Sequence, residues 1–304
     1  MKNVLVIGGS LFAGRVFSIY ASRNGGFELH VVNRGNYPMD LDRVNQYKCD
    51  RHSPRMIARL VPDIKFDALV DFCAYEPGEI KPVIEALGSR IGQYVFFSTA
   101  SVCVPGDGFL DENAPMLEMP ADDSDAVSAY IRKKIELERE LADACAKSGI
   151  NYTILRPTFI YGPFNYAPRE TYFIKLIAKQ GVVPIPVDAG ARFNFVYVID
   201  VAQALMACIG DSRAYNGVFN LAGPEVMTYS KLISEFERNS SRPIAKREVT
   251  VAQADAENIP FPFPLTGDSL VNGEKFARTF DFAYTPIAEG MEKTFSVFYN
   301  IFSS

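Results

Sequence analysis

Val4-Leu5-Val6-Ile7-Gly8-Gly9-Ser10-Leu11-Phe12-Ala13-Gly14 reads as a strand that runs into a glycine turn and then opens a helix. Four apolar residues in succession suit a strand buried on both faces, as a parallel sheet requires. The glycines let the chain reverse within a few residues and aim the first helix amides at whatever lies in front of them. Those amides and the positive end of the helix dipole favour an anion, and a strand-turn-helix unit of this kind fits a diphosphate. A tight turn also needs glycine for structural reasons alone, so the rest of the chain has to carry the reading.

Working outward, short apolar runs alternate with helix-like stretches through the first half. Strands are expected at Asn3–Gly8, Glu28–Asn33, Asn45–Cys49, Ala68–Phe72 and Tyr94–Ser98, with helices near 12–23, 53–61 and 77–88 between most of them. A longer helix is predicted from about Val127 to Ser148, capped by Ser124 or Asp125 and closed by Gly149, with Ile150–Arg156 as a sixth strand. The pattern predicts an α/β protein built on a doubly wound parallel sheet, the Rossmann fold, with right-handed crossovers. Residues 1–157 would form it. Residues 158–304 would mainly form a smaller α/β substrate lobe, with a segment near 192–210 returning to the first unit. Proline-rich loops are expected at Tyr161–Pro168, Val183–Pro186 and Ile259–Pro264, and helices at Asp200–Ile209, Thr228–Glu237 and Pro286–Tyr299. The Ile259–Pro264 stretch reads as a stiff connector packing its phenylalanines, in preference to a lid over a substrate.

The bulk numbers exclude several classes. The 304 residues allow one large core and at most a second lobe. No apolar run reaches the length of a membrane span, and the first apolar run reads as a strand rather than a secretory core. A net charge of −5 leaves no basic field for a phosphate backbone, so nucleic acid is not expected as a partner. Two histidines cannot build a histidine-rich metal site, and no metal is expected. Five cysteines, without a C-x-x-C pair and mostly in apolar runs, read as reduced core thiols, which points to the cytoplasm.

The chemistry-bearing positions lie where the strands end. Asn33 and Arg34 fall about 20 residues past the glycine turn, where an acid would hold the ribose hydroxyls of NAD and an arginine the extra phosphate of NADP; the missing acid leans the reading to NADP. Tyr130 and Lys134 stand four residues apart on the long helix and so share one face. An ammonium beside a phenol lowers the phenol's pKa from about 10, which would make Tyr130 a usable proton donor or acceptor. Ser98 and Thr99 close the fifth strand, at the edge where open α/β sheets bind ligands.

Taken together these residues resemble the extended short-chain dehydrogenase/reductase superfamily, in its NAD-dependent epimerase/dehydratase family. The resemblance runs over essentially the whole chain, through the turn Gly8–Gly14, Phe97-Ser98-Thr99-Ala100-Ser101-Val102, Tyr130-x-x-x-Lys134, Leu155–Pro163 and Arg192–Ala202. It implies that Thr99 hydrogen-bonds the reacting oxygen, Tyr130 moves the proton, and Lys134 holds the cofactor ribose while tuning Tyr130. It also implies a dinucleotide against Gly8, Gly9, Ser10, Leu11, Phe12 and Gly14. Asp50 and Arg51 would lie by the adenine, Phe72, Cys73 and Ala74 along the ribose and diphosphate, and Pro157 and Ile160 by the nicotinamide, with Ser98 a further cofactor contact. Tyr75 and Thr99 are the implied substrate contacts, with Arg192 on a substrate diphosphate. Leu11 stands where the family usually has a third glycine. Ala100 and Ser101 replace the acid–base pair of the dehydratases, which disfavours dehydration. Cys103 replaces a common tyrosine.

The implied activity is that of an NAD(P)-dependent epimerase or reductase acting on a nucleotide sugar or a similar hydroxyl or ketone substrate, as a homodimer by analogy with relatives. The alternative is a catalytically silent or RNA-associated member of the same superfamily.

Overall fold

The structure, a computed structural model, describes residues 1–106, 108–118 and 125–304. Strands β1 (Lys2–Ile7), β2 (Phe27–Asn33), β3 (Val44–Lys48), β4 (Ala68–Asp71) and β5 (Gln93–Phe97) alternate with helices α1 (Phe12–Asn24), α2 (Pro54–Leu60) and α3 (Lys81–Leu87). There follow β6 (Phe109–Leu110), α4 (Ala126–Ser148), β7 (Asn151–Pro157), β8 (Phe159–Tyr161), α5 (Glu170–Gln180), β9 (Val182–Pro186), β10 (Phe195–Tyr197) and α6 (Val198–Cys208). The chain ends with β11 (Gly217–Leu221), α7 (Tyr229–Asn239), β12 (Ala245–Val249), α8 (Val251–Ala256), β13 (Leu270–Val271), α9 (Glu274–Phe280) and α10 (Ile287–Ser303).

Seven of these strands form one parallel sheet in the order β11-β7-β5-β4-β1-β2-β3. Successive residues of β1 bury on opposite faces. Val4 and Val6 pack with Val16 and Phe17 of α1 and with α6, whereas Leu5 and Ile7 pack with residues of α2, α3 and α4 such as Ile57, Ile84 and Leu141. Both faces are covered, as the unbroken apolar run of β1 requires. The strand order reverses at β1 and β4, and the crevice beyond their carboxyl ends is where such sheets take ligands.

α4 starts where Asp125 accepts the backbone N–H of Ser128 at 2.8 Å, and Gly149 ends it in the left-handed conformation; Ser124 lies outside the described residues. From the neighbouring face of the same helix, Glu140 accepts the backbone N–H groups of Gly78, Ile80 and Lys81 at 2.6–3.1 Å and so fixes the start of α3.

The second half differs from its sequence reading in several places. Val182–Pro186 is a strand, because β9 pairs in parallel with β12 at a two-stranded edge that tolerates Pro184. α6 begins at Val198, and Asp200 is no cap: it is buried and accepts both the N–H and the hydroxyl of Thr285. α5, α8 and α9 were not anticipated. The Ile259–Pro264 segment is a packed connector. Phe263 stacks on Phe193 with centroids 4.9 Å apart, and the Tyr229 hydroxyl donates to the Phe263 carbonyl and accepts its N–H. All five cysteines are free, with Cys103, Cys145 and Cys208 buried. Among the described residues no helix is long and apolar enough to cross a membrane.

Candidate active site

A cleft of about 600 Å³ opens at the carboxyl edge of the sheet and runs from the glycine turn to Tyr130. Gly8 and Gly9 take φ of 93° and 71°, which only glycine adopts without strain. Gly14 has another reason: a Cβ there would lie 2.5 Å from the Gly9 Cα, so α1 packs directly on the turn. Ser10, Leu11 and Phe12 line the same end. Leu11 is extended (φ −127°) and 46% exposed, so its backbone does not call for the glycine that the resemblance implies there. Phe12 is the strained residue, with φ of 38°, and its ring meets Tyr166 edge-on at 6.3 Å.

At the far end, the buried Asn33 is committed to its own loop: its Oδ1 accepts from the Gly35 N–H and from Gln46 Nε2, each at 2.8 Å. The exposed Arg34 lines the cleft beside Asp50. Arg51 lines it too but is committed elsewhere, donating to both oxygens of Asp71 at 2.9 and 3.0 Å and to the Glu79 carbonyl. Burial opposes its charge, but Asp71 holds the guanidinium pKa above its ordinary value. The Tyr94 hydroxyl donates to the same carboxylate at 2.6 Å. His52, unanticipated as a cleft residue, bridges Asp50 and Glu79 at 2.6 Å each, and those two hydrogen bonds raise its pKa.

Phe72 and Cys73 flank the glycine turn, where a Cβ on Gly8 would lie 3.1 Å from the Cys73 sulfur. Burial pushes that thiol up to about 12, so it stays protonated. Ala74 does not line the cleft; its carbonyl serves Lys134.

Lys134 is 2% exposed and donates to the carbonyls of Ala74 at 3.0 Å and Phe97 at 2.9 Å, tying the ends of β4 and β5 together. Burial lowers its pKa to about 8. Tyr130 lies one helical turn earlier, 40% exposed, with the Lys134 nitrogen 5.8 Å from its ring centre. The expectation that Lys134 lowers the Tyr130 pKa is overturned: burial raises it, and the cation working in the opposite direction is Arg169. The ammonium is instead committed to the carbonyls of Ala74 and Phe97. Thr99 lines the cleft close by, its Oγ1 donating to the Ser101 hydroxyl at 3.3 Å and accepting the Ser101 N–H. Pro157, Ile160 and Tyr75 line the cleft as well, Tyr75 with the Lys134 nitrogen 5.0 Å from its ring.

Ser98 reaches the cleft but spends its hydroxyl on Glu138 at 2.5 Å. Glu138 in turn forms a buried two-pronged pair with Arg156 at 2.9 and 2.5 Å, and Arg156 also donates to the Cys103 sulfur. Cys103 therefore closes a buried polar chain. Sequence reading missed this chain, although Glu138 follows Lys134 by one turn on the same face. Arg192 is not among the cleft residues: it pairs with Asp268 through its backbone N–H at 2.9 Å and its Nε at 3.0 Å. Tyr166 and Arg169, both in the cleft, were also missed. They sit in a loop whose sequence repeats no helical or strand period.

Comparison with known proteins agrees with this geometry. The model of the NAD dependent epimerase/dehydratase family matches residues 80–222. The chain is 28% identical over 246 residues to the chloroplast stem-loop binding protein of 41 kDa b from Arabidopsis thaliana, covering 76% of this chain and 61% of that protein. It is 24% identical over 177 residues to the UDP-glucose 4-epimerase of Vibrio cholerae, covering 55% of this chain and 49% of that one. It thus spans less than two thirds of either relative. Its fold superposes on UDP-glucuronic acid 4-epimerase from Bacillus cereus, solved with NAD, with a TM-score of 0.79 at 16% identity and 99% of each chain covered. The sheet order and the glycine turn thus belong to the same fold as that epimerase, and residues 80–222 are similar to the NAD dependent epimerase/dehydratase family.

Proposed function

We propose that this chain is an NAD(P)-dependent epimerase or reductase that acts on a hydroxyl or ketone carbon of a nucleotide sugar. The observation that carries the reading is that Thr99, Tyr130 and Lys134 line one continuous cleft with the glycine turn. A nicotinamide dinucleotide bound along that cleft would supply or take the hydride. The residues present fit such a group. Gly8 and Gly9 at positive φ, with Gly14 packed on Gly9, make the tight turn that brings the start of α1 to the cleft, and Lys134 has a third N–H, beyond the two given to Ala74 and Phe97, for a ribose hydroxyl.

Tyr130 would take the substrate hydroxyl proton on its Oη and return it in the reverse direction, while Thr99 hydrogen-bonds the same oxygen. Ala100 and Ser101 offer no acid–base pair, so dehydration is disfavoured. With Asn33 turned into its own loop, Arg34 is the side chain that would meet the adenosine ribose, and it favours the phosphorylated cofactor. Fluorescence titration with NADPH and NADH tests cofactor binding and preference. Turnover of UDP-sugars, with catalytic or stoichiometric use of the cofactor, separates epimerase from reductase. Tyr130→Phe should lower turnover by about a hundredfold or more; unchanged turnover would remove Tyr130 from the chemistry.

The name of the chloroplast relative supports a second reading, a catalytically silent member associated with stem-loop RNA. Absence of binding to either cofactor, together with binding of a stem-loop RNA, would decide for it.

A further inference from the structure

Arg169 is the cation at the reacting end of the cleft that the family pattern does not explain. It precedes α5, lines the cleft with Tyr130, Thr158 and Tyr166, and is half-buried. Its guanidinium lies over the Phe159 ring, 5.7 Å from the centre, and makes one long hydrogen bond to the Ile160 carbonyl at 3.4 Å. Among the described residues no carboxylate comes within ion-pair distance of it; the adjacent Glu170 turns its carboxylate to Asn165 and the Gly162 N–H instead. Of the other arginines, Arg51 is spent on Asp71 and Arg192 on Asp268, while Arg34 lines the cleft beside Asp50, at the opposite end from Tyr130. A planar fork of donors beside an aromatic ring, with a single side-chain hydrogen bond among the described residues, suits a two-oxygen anion.

We infer that Arg169 binds an anionic group of the substrate, a carboxylate or a phosphate, next to the carbon on which Tyr130 acts. This rests on the function proposed above. Arg169 also acts electrostatically on Tyr130, holding down a phenol that burial pushes up. An anion seated on Arg169 would cancel that influence and make the phenolate a stronger base once substrate is in place.

The test is calorimetric binding of UDP-glucuronate, UDP-glucose and UDP to wild type, Arg169→Met and Arg169→Lys, all saturated with NADPH. If the anion is a carboxylate, wild type prefers the glucuronate, and Arg169→Met weakens that ligand alone, by roughly tenfold or more. If it is a phosphate, all three ligands weaken together. In both cases Arg169→Lys retains part of the affinity, because it keeps the charge and loses the fork. Unchanged binding of all three ligands in Arg169→Met, or no binding to wild type, overturns the inference and leaves the cofactor reading standing. Weaker NADPH binding in Arg169→Met also overturns it, since the guanidinium would then serve the cofactor. If wild type binds neither NADPH nor NADH, the function reading falls and takes this inference with it.

Discussion

Replacing Glu170 with glutamine should remove a pH-dependent weakness from the fold. Glu170 is fully buried at the start of α5, and burial raises its pKa from the ordinary 4.5 to about 7, against hydrogen bonds from Asn165 and the Gly162 N–H. A carboxyl whose folded pKa is raised binds its proton more tightly in the folded state. Its contribution is therefore fully present below pH 4.5, is lost as pH climbs toward about 7, and does not change further above that. A shift of that size is worth about 3 kcal/mol, since one pKa unit is about 1.4 kcal/mol. Urea unfolding of wild type and Glu170→Gln across about pH 5 to pH 8 reads it as a difference. The glutamine loses charge-assisted bonds and starts with an offset, but its stability relative to wild type should climb with pH by about 2–3 kcal/mol over this range. A flat difference would refute the argument, because it would mean that Glu170 stays ionised at no cost in its buried position.

Other perturbations read the rest of the site. Glu138→Ala strands the buried Arg156 guanidinium and should cost about 3–5 kcal/mol in chemical denaturation, far more than Arg192→Ala, whose pair with Asp268 is exposed and screened by solvent. Arg192→Ala should also leave calorimetric UDP-sugar affinity unchanged, because that side chain is turned to Asp268 away from the cleft. Gly14→Ala drives a methyl group into the Gly9 backbone and should cost about 1–3 kcal/mol with a clear loss of NADPH affinity by fluorescence, whereas Leu11→Gly should do neither. Lys134→Met leaves the carbonyls of Ala74 and Phe97 without their donor, so thermal unfolding should report a loss of about 1–3 kcal/mol even without ligand.

Local signals carried most of the fold. The apolar run into Gly8 and Gly9, the Asp125 cap, Gly149 at the end of α4 and the five strands of the first half are all set within a few residues of chain, and each lies within a residue or two of its predicted place. Misreadings arose where the deciding partner is distant in sequence. Val183–Pro186 looks like a loop until β12, far along the chain, pairs with it. Asp200 looks like a cap until Thr285 claims it. The cleft shows the same division. The Tyr130–Lys134 spacing is helical geometry and could be read directly, but the two carbonyls that occupy Lys134 belong to β5 and to the turn after β4. The effect of Lys134 on the phenol was therefore misjudged from spacing alone. Arg192 fits a motif, and only the fold brings Asp268 to it.

β11 follows α5, β9 and β10 in the chain yet forms the outermost strand of the main sheet beside β7, and α6, also from the second half, shields one side of α1. A fragment cut at residue 157 would therefore leave β7 with an open row of backbone donors and acceptors, and α1 with a wet apolar flank, a combination that invites self-association. The two halves of the polypeptide cannot be exchanged or inherited as separate modules. Recombination that respects this fold must carry the late strand along with the early ones.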